Sequence, residues 1–125
     1  NEVACELSLE VQTIHARAED CDSVQLRESF DIATARAVAA LPALCEYCLP
    51  YVKKGGVFVA MKGPSAGLEI QNANSAIKLL GGENAALYTE NLPDGDERCF
   101  VFIKKVSQTS TKYPRKGIKI AKLPL

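Results

Sequence analysis

The feature that most constrains the fold is an unbroken run of five apolar residues near the middle of the chain, Val57-Phe58-Val59-Ala60-Met61. A half-exposed strand alternates apolar and polar side chains, whereas a strand buried on both faces does not. The run therefore predicts a strand with covering layers on both sides, and Lys62-Gly63-Pro64 marks its end.

Helical patterns stand on either side of this run. Before it, apolar residues recur with offsets of a helix face at Leu41, Leu44, Cys45, Cys48, Leu49 and Val52. Pro42 suits the first turn of this helix, Pro50 is expected to loosen its end, and Gly55-Gly56 is expected to terminate it. After the run, Ser65 can cap a second helix, whose apolar stripe is Ala66, Ile70, Ala73, Ile77 and Leu80.

Four further strands complete the pattern. Residues 11–16 are β-branched and alternating, and we expect His15 to pack as a neutral side chain within them. Residues 30–36 predict another strand. Residues 85–90 and 99–106 predict a closing antiparallel pair, because Pro93-Asp94-Gly95-Asp96 between them is a strong turn signal. Strands that alternate with helices and end in a hairpin predict an α/β fold with a parallel sheet covered on both faces.

Charge is distributed unevenly, although the net charge is zero. Residues 104–125 carry seven basic and no acidic side chains, whereas the other 103 residues carry eight basic and fifteen acidic ones. We therefore divide the chain into a body, residues 1–106, and a basic irregular tail, residues 107–125. A basic tail on an acidic body suggests an anionic partner, although a solvated end without a partner is an equal alternative.

The five cysteines do not suggest a disulfide framework, because their number is odd and their spacing irregular. Cys45 and Cys48 fall inside an apolar helix, so we interpret them as buried structural thiols rather than as zinc ligands or a redox pair. Reduced thiols favour a cytoplasmic location. No apolar stretch reaches the roughly 20 residues of a membrane helix, and no membrane partner is expected.

Polar residues gather where three of the predicted strands end. Arg17 and Glu19 follow the first strand, Arg36 ends the second, and Lys62 ends the third. Ligands of open α/β sheets bind beyond the carboxyl ends of the strands. These four side chains are therefore candidates for one site, with ordinary solvated strand ends as the alternative.

Successive segments of the chain resemble the motifs of the RsmG (GidB) family of bacterial methyltransferases, in the same order. They are residues 15–20 (HARAED), 30–39 (FDIATARAVA), 60–64 (AMKGP) and 95–98 (GDER), and the tail segments 112–116 (KYPRK) and 122–125 (KLPL) are similar to endings found in the family. The resemblance covers nearly the whole chain. It implies an incomplete Rossmann-like fold of the kind found in S-adenosylmethionine-dependent methyltransferases, with parallel strands ending in an antiparallel hairpin.

The resemblance also implies an activity and a site. The family transfers a methyl group from S-adenosylmethionine to guanine N7 in small-subunit ribosomal RNA. Ala18 and Glu19 match positions beside the adenosine of the cofactor, and Arg36 matches an arginine at the cofactor or substrate site. Positive charge for RNA is expected at the positions Arg17, Lys62, Lys112, Arg115 and Lys116.

Two cofactor motifs of the family have no counterpart in these residues, namely a glycine-rich loop after the first strand and an acidic residue after the second. Residues 1–4 already look helical. We therefore expect a C-terminal portion of the enzyme that is inactive alone and either associates through open sheet edges or is rearranged.

Two other functions stay open. A Rossmann-like methyltransferase with a small-molecule or protein substrate would not need the basic tail for substrate binding. A nucleic-acid-binding module without catalysis would bind RNA but no cofactor, and the few aromatic residues, 6% with no Trp, count against one that binds by base stacking.

Overall fold

The computed structural model describes residues 2–20, 25–36, 39–116 and 118–125. Four strands form one sheet in the spatial order β1-β2-β4-β3. They are β1 (Phe30–Arg36), β2 (Val52–Lys62), β3 (Gly82–Asn91) and β4 (Glu97–Lys105). The helices are α1 (Glu2–Glu6), α2 (Leu41–Cys48), α3 (Ala66–Leu79) and α4 (Lys119–Lys122), and 3₁₀ turns occupy Ala18–Asp20 and Leu49–Tyr51.

The sheet is mixed in the manner that the strand order predicts. Strand β1 pairs with β2 in parallel, and β4 lies antiparallel between β2 and β3. The predicted hairpin is confirmed, and its turn is closed by a hydrogen bond from the Leu92 amide to the Asp96 carbonyl, 2.7 Å. The fold is therefore of the α/β class that the element order predicts.

The sheet is covered on one face, which corrects the expectation of two covered faces. Helices α2 and α3 pack together over Phe58, Ala60 and Val101, all of which are fully buried. On the opposite face of the described residues, Ile32 is 59% exposed, and Met61 and Phe102 are 37% and 38% exposed. An apolar run is therefore compatible with a strand that is buried on both faces, but it does not establish that the described residues form a covering layer on each face.

The segment of residues 11–16 forms no strand, which corrects a second prediction. Its residues are exposed, His15 included, and β1 pairs with β2 alone among the described strands. A β-branched pattern becomes a strand only when a neighbour completes the ladder of hydrogen bonds. Without a neighbouring strand, the β-branched residues 11–16 form no regular secondary structure.

The first long helix ends earlier than predicted. Pro42 stands in its first turn as expected, but α2 stops at Cys48 and tightens into the 3₁₀ turn that contains Pro50. Val52 already belongs to β2. The pair Gly55-Gly56 then lies inside the strand, where the register shifts by several residues between Phe30 and Ile32 of β1. These glycines form an irregular bulge rather than a helix end.

The basic tail lies against the body. Arg27 donates hydrogen bonds to the carbonyl oxygens of Tyr113, Thr109 and Ser110 at 2.7, 2.9 and 2.8 Å. Ile120 of α4 is fully buried. The described residues of the tail, 107–116 and 118–125, contain little regular structure besides α4, and these contacts hold them against the body.

Candidate functional site

The carboxyl ends of β1 and β2 lie side by side. Arg36, the last residue of β1, is opposite Met61 in the parallel register, directly before Lys62 at the end of β2. The predicted approach of Arg36 and Lys62 therefore holds for the backbone. Their side chains differ in environment, because Arg36 is exposed and Lys62 is only 6% exposed.

Lys62 is committed to contacts within the chain. Its ammonium group donates a hydrogen bond to the carbonyl oxygen of Ala39 and lies 3.0 Å from a carboxylate oxygen of Glu69. That same oxygen, Oε1, accepts a hydrogen bond from the backbone amide of Leu41, 3.2 Å. Lys62 and Glu69 together hold Ala39 and Leu41 at the entry to α2.

The structure does not bring Arg17 and Glu19 to Arg36 and Lys62. The 3₁₀ turn at residues 18–20 lies against α2, and its Ala18 lines a cavity that also reaches Phe30, at the opposite end of β1. Glu19 is buried, with 5% of its surface exposed, while Ala18 and Arg17 are exposed. The guanidinium of Arg17 is 3.9 Å from the Glu19 carboxylate, which is longer than a hydrogen bond. The Tyr51 hydroxyl donates to the carbonyl of Ala18, so the turn is fixed through its backbone.

The charge of this turn acts on the side chain of Tyr47 in α2. Partial burial raises the pKa of Tyr47 above its ordinary value, and the negative charge of Glu19 adds to the increase. A phenol with a raised pKa stays protonated near neutral pH and can donate a hydrogen bond. The turn therefore offers a buried acceptor, Glu19, with a neutral phenol nearby.

Two of the basic tail residues also reach the body. Arg115 forms a forked ion pair with Glu46 of α2, and Glu46 is fully buried. The ammonium group of Lys116 donates to the backbone carbonyl of Glu19. Lys112 is exposed at the surface of the tail. The tail thus carries one predicted RNA residue at the surface and two against the 3₁₀ turn and α2.

Sequence reasoning missed three charged residues that the structure shows to be buried or partly buried, Glu46, Glu28 and Lys105. Lys105 is fully buried and donates to the carbonyls of Leu49 and Val52 at 2.7 and 2.9 Å, with Glu28 at 3.3 Å. Burial lowers the pKa of Lys105, and Glu28 opposes that decrease. A signal was available, since Lys105 continues the buried alternation of β4 after Cys99, Val101 and Ile103.

The cysteines behave as structural thiols. Cys45 is buried, Cys48 is half-buried, and neither forms a disulfide. Burial raises the pKa of Cys48 to about 12 and raises that of Cys45 further, which makes both poor nucleophiles near neutral pH. Within the described ranges no group of three or more His, Cys, Asp or Glu side chains is arranged to hold a metal ion. The predicted burial of Cys45 is confirmed, whereas Cys48 is only half-buried.

An open cavity of about 550 Å³ lies at the other end of β1. Its lining includes Ala18, Leu26, Phe30 and Tyr51. Phe30 begins β1, so the cavity is separated from Arg36 by the length of that strand.

Of the residues in the part of the chain that the structure describes, none forms a helix long and apolar enough to cross a membrane.

Comparisons with known proteins agree on one family. A model of the family described as rRNA small subunit methyltransferase G (GidB) matches residues 1–101. A protein of Acetivibrio thermocellus named ribosomal RNA small subunit methyltransferase G is 50% identical over 128 residues, which cover 100% of this chain and 52% of that protein. Its namesake in Alkaliphilus metalliredigens is 47% identical over 99% of this chain and 53% of its own length.

The chain therefore spans about half the length of the curated relatives it matches. Among solved structures, a SAM-dependent O-methyltransferase from Thermotoga maritima is 14% identical, covers 67% of this chain and 36% of its own, and superposes with a TM-score of 0.45. A likeness this weak adds nothing to the family match.

Proposed function

Because the chain belongs to the rRNA small subunit methyltransferase G family, we propose that its protein transfers a methyl group from S-adenosylmethionine to guanine N7 of small-subunit ribosomal RNA. The observation that carries the proposal is the edge where β1 and β2 end together, with Arg36 exposed beside the anchored Lys62. In open α/β sheets this edge is where ligands bind.

The reaction depends on the placement of guanine N7 beside the methyl donor rather than on proton transfer. Guanine N7 carries a free lone pair, so no side chain has to remove a proton before attack. S-adenosylmethionine, when bound, supplies an electrophilic methyl group on a positively charged sulfur. Positive charge moves onto the purine during transfer, and a cation directly beside N7 would oppose that movement. We therefore assign Arg36 to binding and orientation, where a geometry with reacting atoms about 3–3.5 Å apart is worth most.

The 3₁₀ turn fits a role in holding the adenosine part of the cofactor. Glu19 is buried, and its pairing with Arg17 at 3.9 Å is too long for a hydrogen bond. Its carboxylate oxygens therefore retain capacity to accept hydrogen bonds from an amino or hydroxyl group. Ala18 beside it is exposed and bears no bulk that would keep a ring away. These features support the assignment of Ala18 and Glu19 to the cofactor.

For RNA, we assign phosphate contacts first to the exposed cations Arg17 and Lys112. Lys62, Arg115 and Lys116 match the family pattern too, but each also has a partner within the chain. Their charge still adds to the local potential. On this proposal, residues 1–106 form the C-terminal portion of the methyltransferase domain and residues 107–125 a basic RNA-binding segment that lies on it.

Calorimetric titration of S-adenosylmethionine tests the assignment. We would titrate this chain and, in parallel, a version extended to the full length of its relatives. Binding by the longer protein alone supports the methyltransferase and an incomplete cofactor site in these 125 residues. RNA binding without cofactor binding in both versions would instead favour a nucleic-acid-binding module. Cofactor binding with no RNA affinity would favour a small-molecule or protein substrate.

The open edge of the sheet supports a further proposal about the isolated chain. Strand β1 is an edge strand, and its Phe30 and Ile32 are 44% and 59% exposed. Unpaired edges with apolar side chains promote association between chains. We propose that this chain self-associates, which sedimentation over a range of concentrations would detect as a rising mass. On this proposal the protein acts in the cytoplasm, where its ribosomal RNA substrate lies.

A further inference from the structure

Lys62 and Glu69 meet at the entry to α2, which begins at Leu41. Lys62 approaches from the end of β2, and Glu69 from the first turn of α3. Three elements, β2, α2 and α3, therefore meet at this entry.

The pair fixes Ala39 and Leu41, the two residues on either side of Ala40 at the entry to α2. The Lys62 ammonium binds the carbonyl oxygen of Ala39, and Glu69 Oε1 accepts the Leu41 amide at 3.2 Å. Ala40, at the start of α2, has no side chain that can cap the helix, and no side-chain cap is formed there. The Glu69 carboxylate therefore satisfies a helix amide that would otherwise lack a partner.

Charge pairing makes this anchor stiff. The distance between Lys62 Nζ and Glu69 Oε1 is 3.0 Å, and the two side chains are 5% and 23% exposed. Charge-assisted hydrogen bonds in such a shielded position are stronger than neutral ones. The ladder that pairs Arg36 with Met61 ends directly before Lys62, so the exposed Arg36 and the anchored entry to α2 lie at the same edge of the sheet.

We infer that Lys62 and Glu69 are positioning residues for the site, which fix Ala39 and Leu41 at the entry to α2 and do not themselves contact RNA. The inference rests on the proposed function and narrows it. A residue match alone had placed Lys62 among the RNA contacts, whereas its burial and its two partners assign it to the entry of α2. Its effect on methyl transfer is then indirect, through the shape that the entry to α2 gives to the carboxyl edge of the sheet.

Three variants and one control separate positioning from RNA contact. Lys62→Met removes both interactions of the ammonium, Lys62→Arg keeps the charge, and Glu69→Gln removes the ion pair while it leaves an acceptor for Leu41. Lys54→Met is the matched control, because Lys54 is an exposed lysine of the same strand. Each protein is first checked for cooperative unfolding, and measurements are made where all are folded.

Hydrogen exchange at the Leu41 amide reports on the anchor directly, without cofactor or RNA. We expect exchange about tenfold faster in Lys62→Met and Glu69→Gln, wild-type exchange in Lys54→Met, and partial recovery in Lys62→Arg. Exchange at the wild-type rate in both Lys62→Met and Glu69→Gln would overturn the inference.

Kinetics of the full-length protein then test the consequence. We expect the methyl-transfer rate at saturating RNA to fall on the order of tenfold to 100-fold in Lys62→Met and Glu69→Gln. The RNA KM should change little, and the slope of log affinity against log salt should stay at its wild-type value. A slope lower by about one in Lys62→Met, with the saturated rate retained, would make Lys62 a phosphate contact instead.

A wild-type protein that transfers no methyl group would reject the proposed function, and the exchange data would still decide whether the anchor exists. A wild-type protein that is active, together with equally active Lys62→Met and Glu69→Gln variants, would reject the positioning role alone.

Discussion

Arg115 of the basic tail forms a forked ion pair with Glu46 of the body. The Arg115 side chain approaches Glu46 with Nη2 to Oε1 at 2.8 Å and Nε to Oε2 at 3.0 Å, and the Arg115 backbone amide donates to Oε2 at 2.7 Å. Glu46 is fully buried, and its hydrogen bond raises the pKa of Arg115. One carboxylate thus ties both the backbone and the side chain of residue 115 to α2.

Replacing Arg115 should cost stability, because the change leaves a buried carboxylate without its partner. We expect Arg115→Ala to lower the free energy of unfolding by about 3 kcal/mol in urea. Lys119→Ala, an exposed change in the same tail, should stay within about 0.5 kcal/mol. The double replacement Arg115→Met with Glu46→Leu should recover most of the loss. Equal stability of Arg115→Ala and the wild type would contradict this account.

Lys112 should contribute to RNA affinity through its charge alone, since it is exposed and carries no ion pair in the described parts of the chain. We expect Lys112→Ala to reduce the slope of log affinity against log salt by about one. Lys112→Arg keeps the charge and should keep the slope. An unchanged slope in Lys112→Ala would remove this lysine from the RNA surface.

Arg36 should act in binding rather than in the transfer step. We expect Arg36→Ala to weaken the affinity for cofactor or RNA about tenfold or more, as the loss of a charged hydrogen bond implies. Thr34→Ala is the control, because Thr34 is exposed on the same face of β1 two residues earlier. A slower transfer step with both affinities intact would show that Arg36 acts on the chemistry itself.

Alkaline pH should destabilise the fold through its buried thiols. Burial raises the folded-state pKa of Cys48 from 9.0 to about 12, so the unfolded chain loses its proton first as the pH rises. The stabilisation is therefore complete below pH 9 and disappears between about pH 9 and 12, with a slope of up to about 1.4 kcal/mol per pH unit for each thiol.

Cys48→Ala should show a shallower decrease over this range, whereas Cys5→Ala, at an exposed position, should follow the wild type. Lys105 acts in the opposite sense, because its pKa is lowered from 10.5 and its contribution to stability rises with pH. Comparison of each variant with the wild type at each pH removes this common term. Parallel curves for Cys48→Ala and the wild type would refute the burial argument.

Gly81 should tolerate no side chain. Its φ is +89°, and an added Cβ would collide with the carbonyl oxygen of Ser107, where the tail begins. We expect Gly81→Ala to lower the free energy of unfolding by about 2–3 kcal/mol. Gly67→Ala places the same methyl group on α3 with nothing nearby and should raise stability by about 0.5–1 kcal/mol. Similar effects of the two changes in thermal or urea unfolding would contradict the role of Gly81.

Local signals were sufficient for much of the fold. Periodicity and turn residues within a few positions of one another predict the hairpin turn, the strands β1 and β2, and helix α3. Helix α2 was predicted with the wrong end, because Pro50 competes with Gly55-Gly56 for the same role and the proline comes first. The pattern at residues 11–16 failed for another reason, since a strand needs a neighbour that its own residues cannot specify.

The sequence by itself determined the family, the order of strands and helices from Phe30 onward, and the set of charged residues that follow the predicted strands. Only the tertiary structure decided what those charges do. Lys62 meets Ala39 across 23 positions and Arg115 meets Glu46 across 69, and nothing in the local spacing encodes either meeting. A charged residue looks the same in a sequence whether it lies in water or against a buried partner, because burial depends on packing between elements that are distant along the chain.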